Sequence, residues 1–323
     1  MITLHIMQIC GKSDGGWWTE VMSWSYFFMS FFFFKAGYFN KGTKSPTVAY
    51  LKDRTFRILV PYLCSGLIGT LVYFSFLPPL LSRYKSPIEP LSWNHLWETA
   101  SFYGNQPVWF LFSFFCTYVA VHFLNKVRFL PWCAVAFPFI GYALFRQGNP
   151  IWLGLNNVFM GTFCFYLGQF WSRITHRHKQ RNILYCSILL CLGFVVCHAL
   201  SPCTYTMSCN QFTGNIFMLV VQTVFALCGL SGLLLSVPFP RIPVVCYIGM
   251  HSMVYFISHH PMLYFYKFMH LSFGRSIYGR YDDVLILLPV IFGLCSWLVP
   301  FVERIPWLSG RRRETTPPRQ TTT

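Results

Sequence analysis

The chain alternates long, continuously apolar runs with short polar connections. Each run has roughly 17 to 25 residues, enough for an α-helix to cross about 30 Å of hydrocarbon. The runs lack the two-residue alternation that is typical of a membrane β-barrel. We therefore predict an all-α fold, a polytopic transmembrane helical bundle with nine full spans and an incomplete first span, at 1–10, 21–39, 59–81, 107–124, 130–145, 151–171, 183–200, 213–236, 243–266 and 284–303.

The connections between the runs are short and contain no Gly/Ser-rich linker, so residues 1–303 are predicted to form a single membrane-embedded domain. Residues 304–323 are basic and rich in Pro and Thr, and their low apolar content predicts a disordered tail. The first ten residues, MITLHIMQIC, reach only about 15 Å as a helix. From this we expect either a misassigned start or a truncated first span.

Composition supports the membrane assignment, because 54% of the residues are hydrophobic and only 11% are charged, unlike an ordinary soluble domain. The net charge is +16, but most cations lie in loops between spans, which indicates a topology signal and no nucleic-acid partner. Seventeen of the 25 cations fall in one set of alternate loops or in the C-terminal segment, seven fall in the other set, and Lys35 lies inside a span. The positive-inside rule then predicts a cytoplasmic C-terminus.

The thirteen cysteines form no CxxC pair and mostly lie inside apolar runs. We interpret them as packing residues and predict no metal site. Cys203 and Cys209 share one short polar loop, where a disulfide requires an oxidising compartment. The sequence leaves that disulfide open.

One cation interrupts the run FFMSFFFFKAGYF, residues 27–39. A charged side chain in hydrocarbon is costly unless it extends to the headgroups or belongs to a site. The predicted orientation places Lys35 at the cytoplasmic end of its span. Membrane anchoring and anion binding both stay open for this residue.

Three histidines are predicted to lie in the opposite half of the membrane: His5 in the first run, and His259 and His260 in a late run. Imidazole accepts a proton near neutral pH, so histidine inside a bundle indicates a functional site. The competing interpretation is an interior histidine bonded to Ser or to the backbone. Trp109 and Tyr255 are predicted to lie at a similar depth in the membrane. Two interpretations stay open for them: contacts with the substrate, or residues of the aromatic belt at the membrane interface.

Two arginines, Arg54 and Arg57, lie at the predicted cytoplasmic end. A spacing of three residues predicts both guanidinium groups on one helical face, where they can bind a phosphate from two sides. Positive-inside anchoring explains either arginine alone. Together, the arginines and histidines suit a group carrier bound from inside and an acceptor approached from outside.

Four stretches resemble the acyltransferase-3 family of membrane-bound O-acyltransferases, which includes sugar acetylases similar to fucose 4-O-acetylases. FFFFKAGYF resembles the family's FFFISGFF segment, RTFRILVPY its RxxR followed by Leu/Val-Pro-Tyr, PVWFLFSFF its PLWFL element, and YIGMHSMVYFISHHP its IGxxSxxIYxxHP segment. The stretches occur in the family's order along essentially the whole chain. That order makes the resemblance specific.

The resemblance implies transfer of an acyl group, usually acetyl from acetyl-CoA, to a carbohydrate hydroxyl of a surface or secreted glycan. It implies His5 as catalytic base, His259 as a second catalytic histidine, and Arg54 and Arg57 as ligands of the CoA phosphates. Lys35 stands where the family more commonly has serine, and it would join the phosphate-binding group.

His260, Trp109 and Tyr255 are expected to contact the acceptor. Acyl-CoA is the expected donor substrate, with no permanently bound cofactor, and the bilayer is the other partner, in a bacterial inner membrane. The sequence leaves the oligomeric state open. Two alternatives also stay open: a carrier or glycan exporter without chemistry, and an inactive truncated relative, since the family usually has an arginine eleven residues before the first-span histidine.

Overall fold

The computed structural model describes residues 2–9, 16–40, 46–83, 93–127, 133–148, 151–238, 240–272 and 281–311. Within these ranges the protein is built almost entirely from α-helices, as the long apolar runs predict. The helices are α1 (Ile2–Ile9), α2 (Gly16–Trp24), α3 (Phe28–Tyr38), α4 (Thr47–Arg54), α5 (Val60–Arg83), α6 (Trp93–Thr99), α7 (Trp109–Leu124), α8 (Phe137–Arg146), α9 (Asn157–Arg177), α10 (Gln180–Leu200), α11 (Ile216–Ser236), α12 (Pro243–Met250), α13 (Ser252–Ser272), α14 (Tyr281–Glu303) and α15 (Pro306–Ser309).

Shorter elements connect these helices. A π-helix, Thr55–Leu59, joins α4 to α5. Strands β1 (Thr204–Thr206) and β2 (Gln211–Thr213) form an antiparallel hairpin with Thr204 opposite Thr213. The 3-10 helices are Gln106–Val108, Ala134–Ala136, Trp152–Gly154 and Met207–Cys209.

The described chain contains five helices that are long and apolar enough to cross a membrane: Thr47–Ser75, Gln106–Leu124, Gln180–Leu200, Ile216–Ser236 and Val284–Glu303. A multi-pass membrane protein is therefore supported, but the predicted count of nine full spans is not confirmed. The predicted span 21–39 contains a turn at 25–27, between α2 and α3. The predicted span 243–266 is interrupted at His251, between α12 and α13. Apolar character alone did not reveal these breaks in the backbone.

α3 and α9 cross in direct backbone contact at the centre of the main core. A Cβ at Gly37 would overlap the carbonyl group of Phe165, and a Cβ at Gly168 would overlap the carbonyl group of Phe34. Small residues at helix crossings allow this close approach. The apolar run that carries Lys35 is thereby fixed against α9.

A second core forms where α1, α13 and α14 meet. It contains Ile6 of α1, Leu263 of α13, and Leu287 and Ile291 of α14, all of them fully buried. Between helices in a membrane, such side chains stabilise the contact through van der Waals packing. This core holds the first helix against the helix that carries the late histidines.

The chain continues as ordered structure beyond residue 303. α15 packs against α5 with Leu308 buried, and Arg311 forms an ion pair with Glu303 at 2.7 Å. The first residues of the predicted tail are therefore ordered, because they contribute an apolar side chain and a charge partner. Residues 312–323 lie outside the described part of the chain.

Cys203 is a buried free thiol, and its Sγ donates to the carbonyl oxygen of Ser201 at 3.4 Å. The sequence left a disulfide with Cys209 open, and the side chain of Cys209 lies outside the described part of the structure.

Candidate active site

Three imidazole rings meet where α1 packs against α13. The ring centroids of His5 and His259 are 5.4 Å apart, those of His5 and His260 are 5.2 Å apart, and those of His259 and His260 are 6.1 Å apart. His5 belongs to the first helix, whereas the other two belong to a helix near the end of the chain. The tertiary fold therefore brings together the three histidines that the sequence placed in one half of the membrane.

The hydrogen bonds of His259 define which of its ring nitrogens carries the proton. Its Nδ1 lies 3.0 Å from the carbonyl oxygen of Tyr255 and 2.8 Å from that of Phe256. A carbonyl oxygen only accepts hydrogen bonds, so Nδ1 is assigned as the protonated donor. Nε2 then carries the lone pair of the neutral ring, and it is buried without a hydrogen-bond partner among the described groups. An unpaired basic nitrogen of this kind can accept a proton from a substrate hydroxyl.

His260 is oriented by the turn that precedes α7. Its Nδ1 donates to the carbonyl oxygen of Gly104 at 3.3 Å. Gly104 has φ +70°, and a Cβ at this position would overlap the carbonyl group of Gly69 on α5. A Cβ at Gly69 would lie 2.5 Å from the Cβ of Asn105. Glycine at both positions therefore allows the turn to pack directly against α5. In this position the turn presents the Gly104 carbonyl oxygen to His260.

Asn105 compensates for a break in the hydrogen bonding of α13. Pro261 has no N–H, so the carbonyl oxygen of Ile257, four residues earlier, loses its α-helical donor. Asn105 is fully buried, and its Nδ2 donates to Ile257 at 2.9 Å and to the Ser65 carbonyl oxygen at 3.2 Å. Asn105 thus connects α5 to α13 within one turn of the histidine pair, and it is a positioning residue for the cluster.

Trp109 and Tyr255, the expected acceptor contacts, are both buried against protein groups. Trp109 lies in the main core at the start of α7, and the hydroxyl of Tyr255 is hydrogen-bonded to Ser296 of α14. The neighbour of Trp109, Phe110, packs against the histidine-bearing helix, with its ring centroid 5.6 Å from that of Phe256. The acceptor role of Trp109 and Tyr255 stays a prediction.

An apolar groove of about 370 Å³ lies along α13. Its walls come from α5, α13, α14 and α15, and they include Ser258 and Pro261, which flank His259 and His260 in the chain. The described lining of the groove includes none of His5, His259 and His260.

The two arginines have different surroundings. The guanidinium carbon of Arg54 lies 4.3 Å from the ring centroid of Tyr118 and 5.3 Å from that of Tyr50. Arg57 has a side chain that is 55% exposed, and its Nε donates to Asp53 at 2.9 Å. The predicted shared face assumed α-helical geometry, but Arg57 lies in the π-helix, whose wider turn changes its angular position relative to Arg54.

Pro61 accounts for the π-helix. In an α-helix the carbonyl group of Arg57 would accept from the N–H of residue 61, which proline lacks. The helix widens just before this proline, and the N–H of Val60 donates to Thr55, five residues earlier. A Cβ at Gly310, which has φ +65°, would overlap the Arg57 carbonyl group, so the C-terminal segment packs directly on this widened turn.

Lys35 is exposed and lines a separate groove of about 220 Å³ between α3 and α11. The described lining of that groove includes Tyr38 and Ser231 but neither Arg54 nor Arg57. An exposed cation at a helix end fits membrane anchoring. The predicted membership of Lys35 in the phosphate-binding group stays a prediction.

Sequence reasoning missed Asn105 and the turn around it. Pro261 was a usable signal, because a proline inside a helix predicts an unpaired carbonyl group four residues earlier. Nothing in the pattern indicated which distant side chain would supply the missing donor. Among the described residues, no group of three His, Cys, Asp or Glu side chains is arranged to hold a metal ion.

Long apolar helices and a cluster of three histidines, of which His259 and His260 are buried, define a multi-pass membrane protein with a candidate acid–base site. A family model described as an acyltransferase domain matches residues 1–301. The chain therefore belongs to the acyltransferase-3 family, as its motifs indicated, and membership implies a membrane acyltransferase. No curated protein and no solved structure matches the chain.

Proposed function

We propose that the protein transfers an acyl group, preferably acetyl, from acyl-CoA to a carbohydrate hydroxyl of a surface or secreted glycan. Family membership supplies the reaction class. The observation that carries the proposal is the meeting of His5, His259 and His260, with a basic ring nitrogen of His259 buried and unpaired among the described groups. Removal of a proton from a hydroxyl is the step for which such a cluster is suited.

In the proposed reaction, His5 accepts the proton of the acceptor hydroxyl while the hydroxyl oxygen attacks the thioester carbonyl carbon. The new C–O bond forms, the C–S bond breaks, and the CoA sulfur leaves and takes up the proton. Interacting imidazoles share a titrating proton, so His259 is proposed to act with His5 as one acid–base pair. His260 is proposed to bind the acceptor beside them.

The donor is proposed to bind at the opposite end, with its phosphates at Arg54 and Arg57. Arginine binds phosphate through paired N–H groups, which suits this role. The excess of cations in the loops around Arg54 supports a cytoplasmic position for this end, and hence a cytoplasmic C-terminus in a bacterial inner membrane. Acyl-CoA is a cytoplasmic metabolite in this account, and the acceptor approaches from the other side.

The test is the mass spectrum of surface glycans from cells that lack the gene. We expect the glycans to lose one acyl mass increment and to regain it on complementation with the natural sequence but not with His5→Ala. If no acyl difference appears in any strain, the enzymatic proposal loses its support, and a carrier or glycan exporter becomes the better explanation.

A further inference from the structure

A continuous row of basic and aromatic side chains lies between α4 and α7. It consists of Thr47, Tyr50 and Arg54 on α4, and of Tyr118, His122 and Lys126 on α7 and the turn after it; we refer to these six residues as the basic–aromatic seam. The spacings of three and four residues place each set of three on one face of its helix. The seam lies at the predicted cytoplasmic end.

The side chains of the seam contact one another in sequence. Lys126 Nζ donates to Thr47 Oγ1 at 2.7 Å, and His122 Nε2 lies 3.3 Å from the same hydroxyl. The rings of His122 and Tyr50 are stacked, with centroids 4.4 Å apart and planes inclined by 14°. Arg54 follows, over the rings of Tyr50 and Tyr118. Cation–π contacts of this kind restrict a guanidinium group without neutralising it.

The seam carries positive charge that the described structure does not neutralise. The ion pairs found among the described residues involve neither Arg54 nor Lys126, whereas Arg57 is paired with Asp53. The Nε of Arg54 is also buried without a hydrogen-bond partner in the described part of the chain. Arg54 is a restricted cation with an unused donor, and Lys126, at Thr47, lies about 10 Å away along α4. Two cations at this spacing are complementary to an anion that carries more than one phosphate group.

We infer that the basic–aromatic seam binds the phosphate groups of the acyl-CoA donor, with Lys126 and His122 as ligands opposite Arg54. The inference rests on the proposed function, since acyl-CoA is the phosphate-bearing substrate of that reaction. It gives Lys126 a binding role, although the residue is also one of the cations that count toward positive-inside topology. It also assigns the second wall of the donor site to α7, and not to Lys35 on α3.

The test measures the affinity of the purified full-length protein for CoA by titration calorimetry in nanodiscs. We expect Lys126→Gln to weaken CoA binding about tenfold, equivalent to about 1.4 kcal/mol, and Lys126→Arg to retain most of the affinity. Lys52→Gln is the matched control, because Lys52 is an exposed lysine of the same helix as Arg54 but outside the seam. Its CoA affinity should stay at the natural value. Raised salt should reduce the difference in CoA affinity between the natural protein and Lys126→Gln, because salt screens the charge interaction.

A second readout separates phosphate binding from a structural role. S-acetylpantetheine carries the thioester but no phosphate, so its rate of acyl transfer should be the same with the natural protein and with Lys126→Gln. If the natural protein, Lys126→Gln and Lys52→Gln bind CoA with equal affinity, the inference that the seam binds the CoA phosphates is wrong. The proposed function would be unaffected by that result. If the natural protein does not bind CoA at all, both acyl-CoA as the donor and phosphate binding by the seam are wrong.

Discussion

The histidine end and the arginine end of the bundle both contain a proline inside a helix, and they compensate for it in different ways. At the histidine end, Pro261 deprives Ile257 of its donor, and the side chain of Asn105 supplies a replacement at 2.9 Å while α13 stays α-helical. At the arginine end, Pro61 deprives Arg57 of its donor, and the backbone widens into a π-helix. The first solution uses a distant residue and the second uses local geometry.

The difference in burial fits the two proposed tasks. His259 is 0% exposed, whereas the side chain of Arg57 is 55% exposed. Proton transfer needs a donor and an acceptor held within hydrogen-bond distance, so the packing around His259 and His260 suits it. The exposed Arg57 side chain can adapt to a phosphate ligand, beside the Arg54 guanidinium group that Tyr50 and Tyr118 restrict. The comparison therefore predicts that changes at the histidine end affect the chemical step and changes at the arginine end affect donor affinity.

The largest expected effect comes from the histidine end. His259→Ala removes the buried basic nitrogen, and we expect the rate of acyl transfer at saturating donor to fall by about 10²–10⁴-fold, with unchanged CoA affinity. The measurement is single-turnover transfer of a radiolabelled acetyl group, with the melting temperature as a check on folding. The control is His176→Ala, because His176 is an exposed histidine of α9 and lies outside the histidine cluster. This variant should transfer the acyl group at the natural rate. Natural-rate transfer by His259→Ala would remove this residue from the site.

The next effect tests the donor that Asn105 supplies. Asn105→Ala leaves the buried Ile257 carbonyl group unpaired, which should lower the free energy of unfolding by about 1–3 kcal/mol. Adding Pro261→Ala restores an N–H that can pair with Ile257 within α13. The double variant should therefore be more stable than the two single effects predict when summed.

The measurement is a double-mutant cycle, in which thermal unfolding is followed for the natural protein, both single variants and the double variant. A positive coupling between the two substitutions confirms that Asn105 acts through the carbonyl group that Pro261 leaves unpaired. Strict additivity would show that Asn105 stabilises the protein in another way.

A smaller effect is expected at the arginine end. Pro61→Ala restores the α-helical donor for the Arg57 carbonyl group, so the π-helix should tighten and shift Arg57 relative to Arg54. We expect the KM for acyl-CoA to rise by a few-fold, up to about tenfold, with little change in kcat. Pro138→Ala is the control, because Pro138 lies in the first turn of α8, where no N–H is needed. An unchanged KM would show that the π-helix does not contribute to donor binding.

The smallest effect is expected for Lys35. Its groove with α11 contains neither arginine among its described lining residues, so Lys35→Gln should leave the KM for acyl-CoA within about twofold of the natural value. Initial-rate kinetics would measure this. A tenfold increase would instead restore Lys35 to the phosphate-binding group and extend the donor site to α3.

Local pattern predicted the helical class and singled out the three histidines whose rings meet in the structure, because apolar runs and the histidines within them can be read from short stretches. The predicted count of nine full spans is not confirmed, and the breaks near 25–27 and at His251 lie inside runs that stay apolar. Local pattern placed Arg54 and Arg57 on one face because it assumed an α-helix, although Pro61 already carried the signal for a wider turn. Asn105 and Lys126 depend on contacts between distant segments, which no local pattern encodes.

The central claim is that the two ends perform separate tasks, proton transfer at the histidines and donor binding at the arginines. The most direct measurement compares His5→Ala with Arg54→Gln, using CoA affinity and single-turnover acyl transfer at saturating donor on the same preparations. The account predicts natural CoA affinity without transfer for His5→Ala, and weakened CoA affinity with near-natural transfer for Arg54→Gln. If His5→Ala retains transfer, or if Arg54→Gln binds CoA with natural affinity, the division of tasks between the two ends is contradicted.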